Sequence, residues 1–135
     1  MTSRPLIIYT DGGARGNPGL AAIGAIINDG QRTIHRISKT IGLATNNQAE
    51  YQAVYTALLY AKSIKAHQVE VYCDSELVVN QLQGRYKIKN RELGQWFIKI
   101  HSLINHIGQV KFRAIPRTLN TQADQLVNQA LDQQL

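Results

Sequence analysis

The hydrophobic period of this chain changes once, after Gly42, and that change restricts the fold more than any other feature. Before it, β-rich apolar runs stand between turn residues; after it, helical spacing alternates with short apolar runs. Residues 6–10, Leu-Ile-Ile-Tyr-Thr, read as a first strand. The glycine-rich stretch 12–19 reads as a turn in which Asn17, Pro18 and Gly19 supply the preferences of positions i, i+1 and i+2. A second strand is expected over 21–28, and Asp29-Gly30 signals a hairpin into a third over 33–41. Thr45 or Asn46 then caps a helix over 47–65. A strand at 68–73, a helix at 75–83, a basic stretch at 84–91, a helix at 92–106, a strand at 109–115 and a helix at 120–133 complete the pattern. Helical crossovers between the later strands imply parallel pairing. The expected class is therefore α/β, a mixed sheet flanked by helices on both faces.

Four acids occupy expected element ends rather than solvated faces: Asp11 after the first strand, Glu50 in the first turn of a helix, Asp74 after the fourth strand, and Asp124 in the last helix. Glu50 is the most telling. Val54, Ala57, Leu58 and Ala61 follow it at helical spacing and place it on the apolar, core-facing stripe. A buried unpaired charge costs several kcal/mol, on the order of the stability of a small domain, so a cation or a raised pKa must intervene. In an open α/β sheet, sites form beyond the carboxyl ends of neighbouring strands, so adjacency of the first and fourth strands would aim Asp11 and Asp74 into one cleft. Oxygen ligands without a histidine or cysteine cluster select Mg²⁺ or Mn²⁺ over Zn²⁺. Two such ions form the clamp that hydrolyses phosphodiesters.

Composition bounds the alternatives. A chain of 135 residues, 44% hydrophobic and without repeats or linkers, is expected to form one domain over residues 1–135. The single cysteine, Cys73, excludes an internal disulfide framework and reads as core. Residues 1–5 run into the first strand without an apolar leader, and no stretch has membrane length, so a cytoplasmic monomer without membrane contact is expected. The net charge of +6 suits a polyanionic partner or simply a basic surface.

Five motifs in order, Tyr9-Thr10-Asp11-Gly12-Gly13, Gly16-Asn17-Pro18-Gly19, Thr45-Asn46-Asn47-Gln48-Ala49-Glu50, Asp74-Ser75 and Asn120-Thr121-Gln122-Ala123-Asp124, resemble those of type 1 ribonuclease H over residues 6–131. The resemblance implies a ribonuclease H-like five-stranded mixed sheet. It implies an endonuclease that uses two Mg²⁺ ions, with Mn²⁺ as a substitute, to hydrolyse the RNA strand of RNA/DNA hybrids, leaving 5′-phosphate and 3′-hydroxyl ends. It further implies Asp11, Glu50, Asp74 and Asp124 as catalytic and metal-binding residues. Asn17, Thr45 and Asn46 would hold the substrate backbone, while Asn47, Gly13 and Ala14 approach the RNA minor groove, where the 2′-hydroxyl distinguishes RNA from DNA. Glu76 is placed near substrate.

Two departures stand out. Many relatives carry a loop histidine before the last helix; here the segment is Ile115-Pro116-Arg117-Thr118-Leu119, and Arg117 is available for a phosphate but, having no acceptor, not as a base. The long basic protrusion is replaced by a compact stretch that offers Arg85, Lys87 and Lys89 to the hybrid, and compact members extend the expected substrates to double-stranded RNA. Taken singly, Thr121-x-x-Asp124 is a capping-box spacing, Asp74 a helix cap, and Lys87 with Lys89 a solvated edge strand. Another two-metal nuclease of the same fold, a resolvase or exonuclease, and an inactive hybrid-binding module are the competing functions. The Thr-Asn-Asn segment before Glu50 argues against the first, and the presence of all four acids against the second.

Overall fold

A computed structural model describes residues 4–133; of the residues 1–5 used for the expectation about the start of the chain, 1–3 lie outside it. Three antiparallel strands, β1 (Leu6–Gly16), β2 (Gly19–Asn28) and β3 (Thr33–Ala44), are joined by short turns. Helix α1 (Asn46–Ser63) leads to β4 (Gln68–Cys73), which pairs parallel with β1. Helices α2 (Glu76–Leu82) and α3 (Arg91–Ile107) cross over to β5 (Gln109–Ala114), parallel to β4, and α4 (Thr121–Asp132) follows. The sheet order is β3-β2-β1-β4-β5. The expected α/β class, five-stranded mixed sheet and helices on both faces are all present.

The main core lies on one face. Ile8, Ala25, Ile27, Val69 and Val71 from the strands meet Tyr51, Val54 and Leu58 of α1 and Ile100 and Leu103 of α3. On the other face Val127, Ala130 and Leu131 of α4 cover Ala22. Two glycines set how near the helices approach. A Cβ on Gly12 would stand 2.3 Å from the Ala49 carbonyl carbon of α1, and one on Gly24 would stand 2.3 Å from the Ala123 carbonyl oxygen of α4. Gly24 is also the ladder partner of Asp11, so both helix starts are drawn in beside that aspartate. The start of α1 is fixed by a capping box: Thr45 Oγ1 accepts from the Gln48 N–H at 3.1 Å, and Gln48 Oε1 accepts from the Thr45 N–H at 2.8 Å.

Two expectations require correction, and two of the alternative readings of single motifs are not met. The first strand does not end before Asp11 but runs to Gly16, because Asp11 to Gly16 continue to pair with β2. The turn is accordingly shorter, with Asn17 and Pro18 at its centre and Gly16 opposite Gly19. Lys87 and Lys89 do not form an edge strand. They stand exposed on the connection between α2 and α3, where no ladder partner lies alongside, and Ile88 between them packs on the core. Thr121 does not cap α4 either; Asn120 occupies the N-cap position, and its side chain is engaged elsewhere.

Candidate active site

The parallel ladder between β1 and β4 ends at Thr10 and Cys73. Asp11 and Asp74 are the next residues on each chain, so the loss of pairing at one level places both carboxylates at the same end of the sheet. Glu50, one turn into α1, closes the group: one carboxylate oxygen from each of Asp11, Glu50 and Asp74 lies within 4.8 Å of the other two. Asp11 is 8% exposed and Glu50 6%. The Gly12 N–H donates to Glu50 Oε1, and the Cys73 thiol donates to Glu50 Oε2 at 3.4 Å. Asp124 is not within that trio but lines the same cleft of about 450 Å³. Its carboxyl is steadied by Asn128, whose Nδ2 donates to Oδ2 at 3.3 Å.

Among the described residues no basic side chain forms a salt bridge with these acids; the one found is Arg15 with Asp132. Burial first, then the Glu50 charge and hydrogen bond, then Asp74 and Asp124, push the Asp11 carboxyl up to about 9. Burial likewise raises Glu50 to about 7, against the lowering effect of its hydrogen bonds to Asp11 and the Gly12 N–H. The site as a protein alone therefore retains protons at neutral pH, and a cation is the partner that would release them. Its donors are hard carboxylate oxygens, which fit Mg²⁺ or Mn²⁺. Burial pushes the Cys73 thiol well above its ordinary value, so it remains a neutral donor to Glu50 rather than a soft ligand.

Gly13, Ala14, Asn46, Asn47 and Arg117 line the cleft with the four acids. The Ala14 N–H already donates to Asn46 Oδ1 at 2.9 Å, and the Asn46 N–H to Asn17 Oδ1 at 3.0 Å. These two bonds join the end of β1, the β1–β2 turn and the start of α1 into one ridge. Asn17 does not line the cleft and supports the ridge through its bond to Asn46, while Thr45 uses its hydroxyl oxygen in the α1 cap. Glu76 and Arg85 are not in the cleft. They line a neighbouring cavity of about 540 Å³ with Tyr72, Asn80 and Arg113. Lys87 and Lys89 lie on the exposed α2–α3 connection. Sequence reasoning assigned no part to Ser75, which caps α2 and lines the cleft, to the Cys73 thiol, or to Asn120. Ser75, rather than Asp74, caps α2, and Asn120 stands in the last motif without a role of its own; the Cys73 thiol carries no local mark.

Residues 9–130 match the family described as reverse transcriptase-like. An RNase H1 isolated from compost by a metagenomic approach is 46% identical with a TM-score of 0.90, over 96% of each chain. The same enzyme solved in complex with an RNA/DNA hybrid matches with equal identity and TM-score, over 95% of this chain and 97% of that one. The RNase H1 of the halophilic archaeon Halobacterium salinarum is 36% identical over 96% of this chain and 99% of that one, with a TM-score of 0.93. Some curated relatives are much longer. This chain spans 35% of a bifunctional protein of Mycobacterium tuberculosis, at 37% identity over 94% of its own length, and 63% of the curated Halobacterium enzyme. With its motifs, its sheet order and its acids in a shared cleft, the chain belongs to the reverse transcriptase-like family and, within it, to the type 1 ribonucleases H.

Proposed function

We propose that this chain is a divalent-metal-dependent endoribonuclease that hydrolyses the RNA strand of RNA/DNA hybrids, leaving 5′-phosphate and 3′-hydroxyl ends and cutting double-stranded RNA more slowly. One observation carries the reading: three carboxylates within 4.8 Å of one another at the end of the β1–β4 ladder, in a chain 46% identical to an RNase H1 solved with an RNA/DNA hybrid. Asp11, Glu50 and Asp74, with Asp124 beside them, would hold two Mg²⁺ ions or Mn²⁺ in their place. Such ions supply activation of the attacking water and charge stabilisation at the leaving oxygen.

The chain's own residues do the rest. The Gly12 N–H and the Cys73 thiol fix both oxygens of Glu50, so its orientation is set before substrate arrives. Asn47 and the backbone of Gly13 and Ala14 lie along the rim and meet 2′-hydroxyls across the shallow minor groove without reading bases. The Asn46 and Asn17 hydrogen bonds stiffen that rim. Arg117, in the same cleft, donates to a substrate phosphate. Thr45, its oxygen occupied, keeps its hydroxyl proton for the backbone of the partner strand, and Arg85, Lys87 and Lys89 attract the duplex from outside the cleft.

The test is cleavage of end-labelled RNA/DNA, RNA/RNA and DNA/DNA duplexes with and without Mg²⁺, together with a DNA duplex that carries a short internal run of ribonucleotides. Hybrid should be cut fastest, double-stranded RNA more slowly, and the mixed duplex only within or at the edge of the run. Equal rates on hybrid and all-DNA duplex would replace the proposal with a general two-metal nuclease, and tight binding of hybrid without cleavage would replace it with an inactive binding module.

A further inference from the structure

Asn120 is 1% exposed and sits at the N-cap of α4, yet its side chain makes no capping hydrogen bond there. Its Nδ2 instead donates to the Thr10 carbonyl at 2.8 Å and to Asp74 Oδ2 at 3.1 Å. Both amide protons are thereby committed where the β1–β4 ladder ends, one to the backbone beside Asp11 and one to Asp74 itself. The remaining polar atom, Oδ1, is buried without a partner among the described residues, as is the neighbouring Thr10 hydroxyl. A buried polar atom left unpaired costs about 1–3 kcal/mol, and the two bonds made by Nδ2 act against that cost. A cap would explain Asn at this place, but the cap is not made. What the side chain does make is a rigid link from the start of α4, four residues before Asp124, to β1 and to one oxygen of Asp74.

We infer that Asn120 is a positioning residue of the acidic centre: it holds Asp74 Oδ2 and couples the placement of Asp74 to that of α4 and Asp124. The inference rests on the reading of those acids as the metal-binding centre. Partners that orient a ligand in this way are typically worth about 10–100-fold in metal affinity or activity.

The decisive comparison is between the unaltered chain, Asn120→Ala and Asn120→Asp, with Thr10→Val as the control that removes an unpaired hydroxyl beside the link but leaves the Thr10 carbonyl in place. Mg²⁺ affinity is measured by calorimetry without substrate, and kcat and KM on a labelled hybrid at saturating Mg²⁺. Both Asn120 variants should weaken Mg²⁺ binding by roughly ten-fold or more and lower kcat while KM for the hybrid stays within two-fold, and Thr10→Val should match the parent. An Asn120→Ala protein with native circular dichroism and parental Mg²⁺ affinity would overturn the inference. Should both variants fail to fold, the side-chain amide resonances of Asn120 are followed by NMR in the unaltered chain during a Mg²⁺ titration. Resonances that shift with the calorimetric midpoint support the link, and resonances that stay fixed refute it. Failure of the unaltered chain to bind Mg²⁺ at all would instead bring down the metal centre itself, and the inference with it.

Discussion

Replacing Gly12 by alanine tests how the fold delivers Glu50 to its place. The added Cβ would lie 2.3 Å from the Ala49 carbonyl carbon, 2.4 Å from its oxygen and 2.5 Å from the Glu50 nitrogen, all of them backbone atoms. Ordinary contact begins at 3.4 Å, so the first turn of α1 must retreat from β1 by about 1 Å, and no side chain can rotate aside to relieve it. Overpacking of this kind costs about 3 kcal/mol, the upper end of the usual range, because rigid backbone is on both sides. For a chain of this size that lowers Tm by roughly 10 °C. The same retreat stretches the Gly12 hydrogen bond to Glu50 and moves the carboxylate off its position, and a displacement near 1 Å in a catalytic constellation is worth about 10²-fold in rate. Thermal unfolding and single-turnover cleavage of a labelled hybrid measure the two effects. Gly94→Ala is the matched control: nothing lies within 4 Å of its Cβ position inside α3, so alanine there should raise stability by about 0.5–1 kcal/mol and leave cleavage alone. A Gly12→Ala protein with parental Tm and kcat would refute the argument from close approach.

Asp11→Asn should reduce cleavage by several orders of magnitude while raising Tm in EDTA, because one of three crowded acids is removed; a native fold with near-parental activity would sink the metal assignment. Metal-free stability should fall as pH rises. Burial and repulsion among the acids push the Asp11 and Glu50 carboxyls up to about 9 and about 7, above their ordinary 3.8 and 4.5, so the folded state binds the extra protons and the pair's contribution is lost from about pH 4 up to pH 9. Thermal melts in EDTA across that window check the sign, with a rising Tm as the contrary result, and added Mg²⁺ should recover most at the alkaline end. Joint charge reversal of Lys87 and Lys89 should raise KM for hybrid far more than it lowers kcat and should flatten the salt dependence of binding; an unchanged salt slope would leave the α2–α3 connection as ordinary solvated surface.

The sequence by itself determined what is local or periodic. The change of period after Gly42 placed three antiparallel strands before the helical crossovers, since strand and helix each write their own spacing into the order of apolar residues. Glu50 could be recognised as a buried acid because Val54, Ala57, Leu58 and Ala61 share its face of α1, all of them buried. Asp74 could be placed at a strand end because the apolar run before it stops at Cys73. Tertiary structure decided what depends on residues far apart in the chain. Gly12 and Gly13 look like a turn until β2 lies alongside and extends β1 through Asp11 to Gly16. Lys87 and Lys89 alternate like a strand, but among the described residues no strand pairs with them. The Cys73 thiol faces Glu50 across 23 positions, and Asn120 reaches the Thr10 carbonyl across 110. A hydrogen bond between such distant partners imposes no periodicity on either segment. It is defined only once the parallel β1–β4 ladder has formed and ended at Thr10 and Cys73 and α1 and α4 have settled on Gly12 and Gly24.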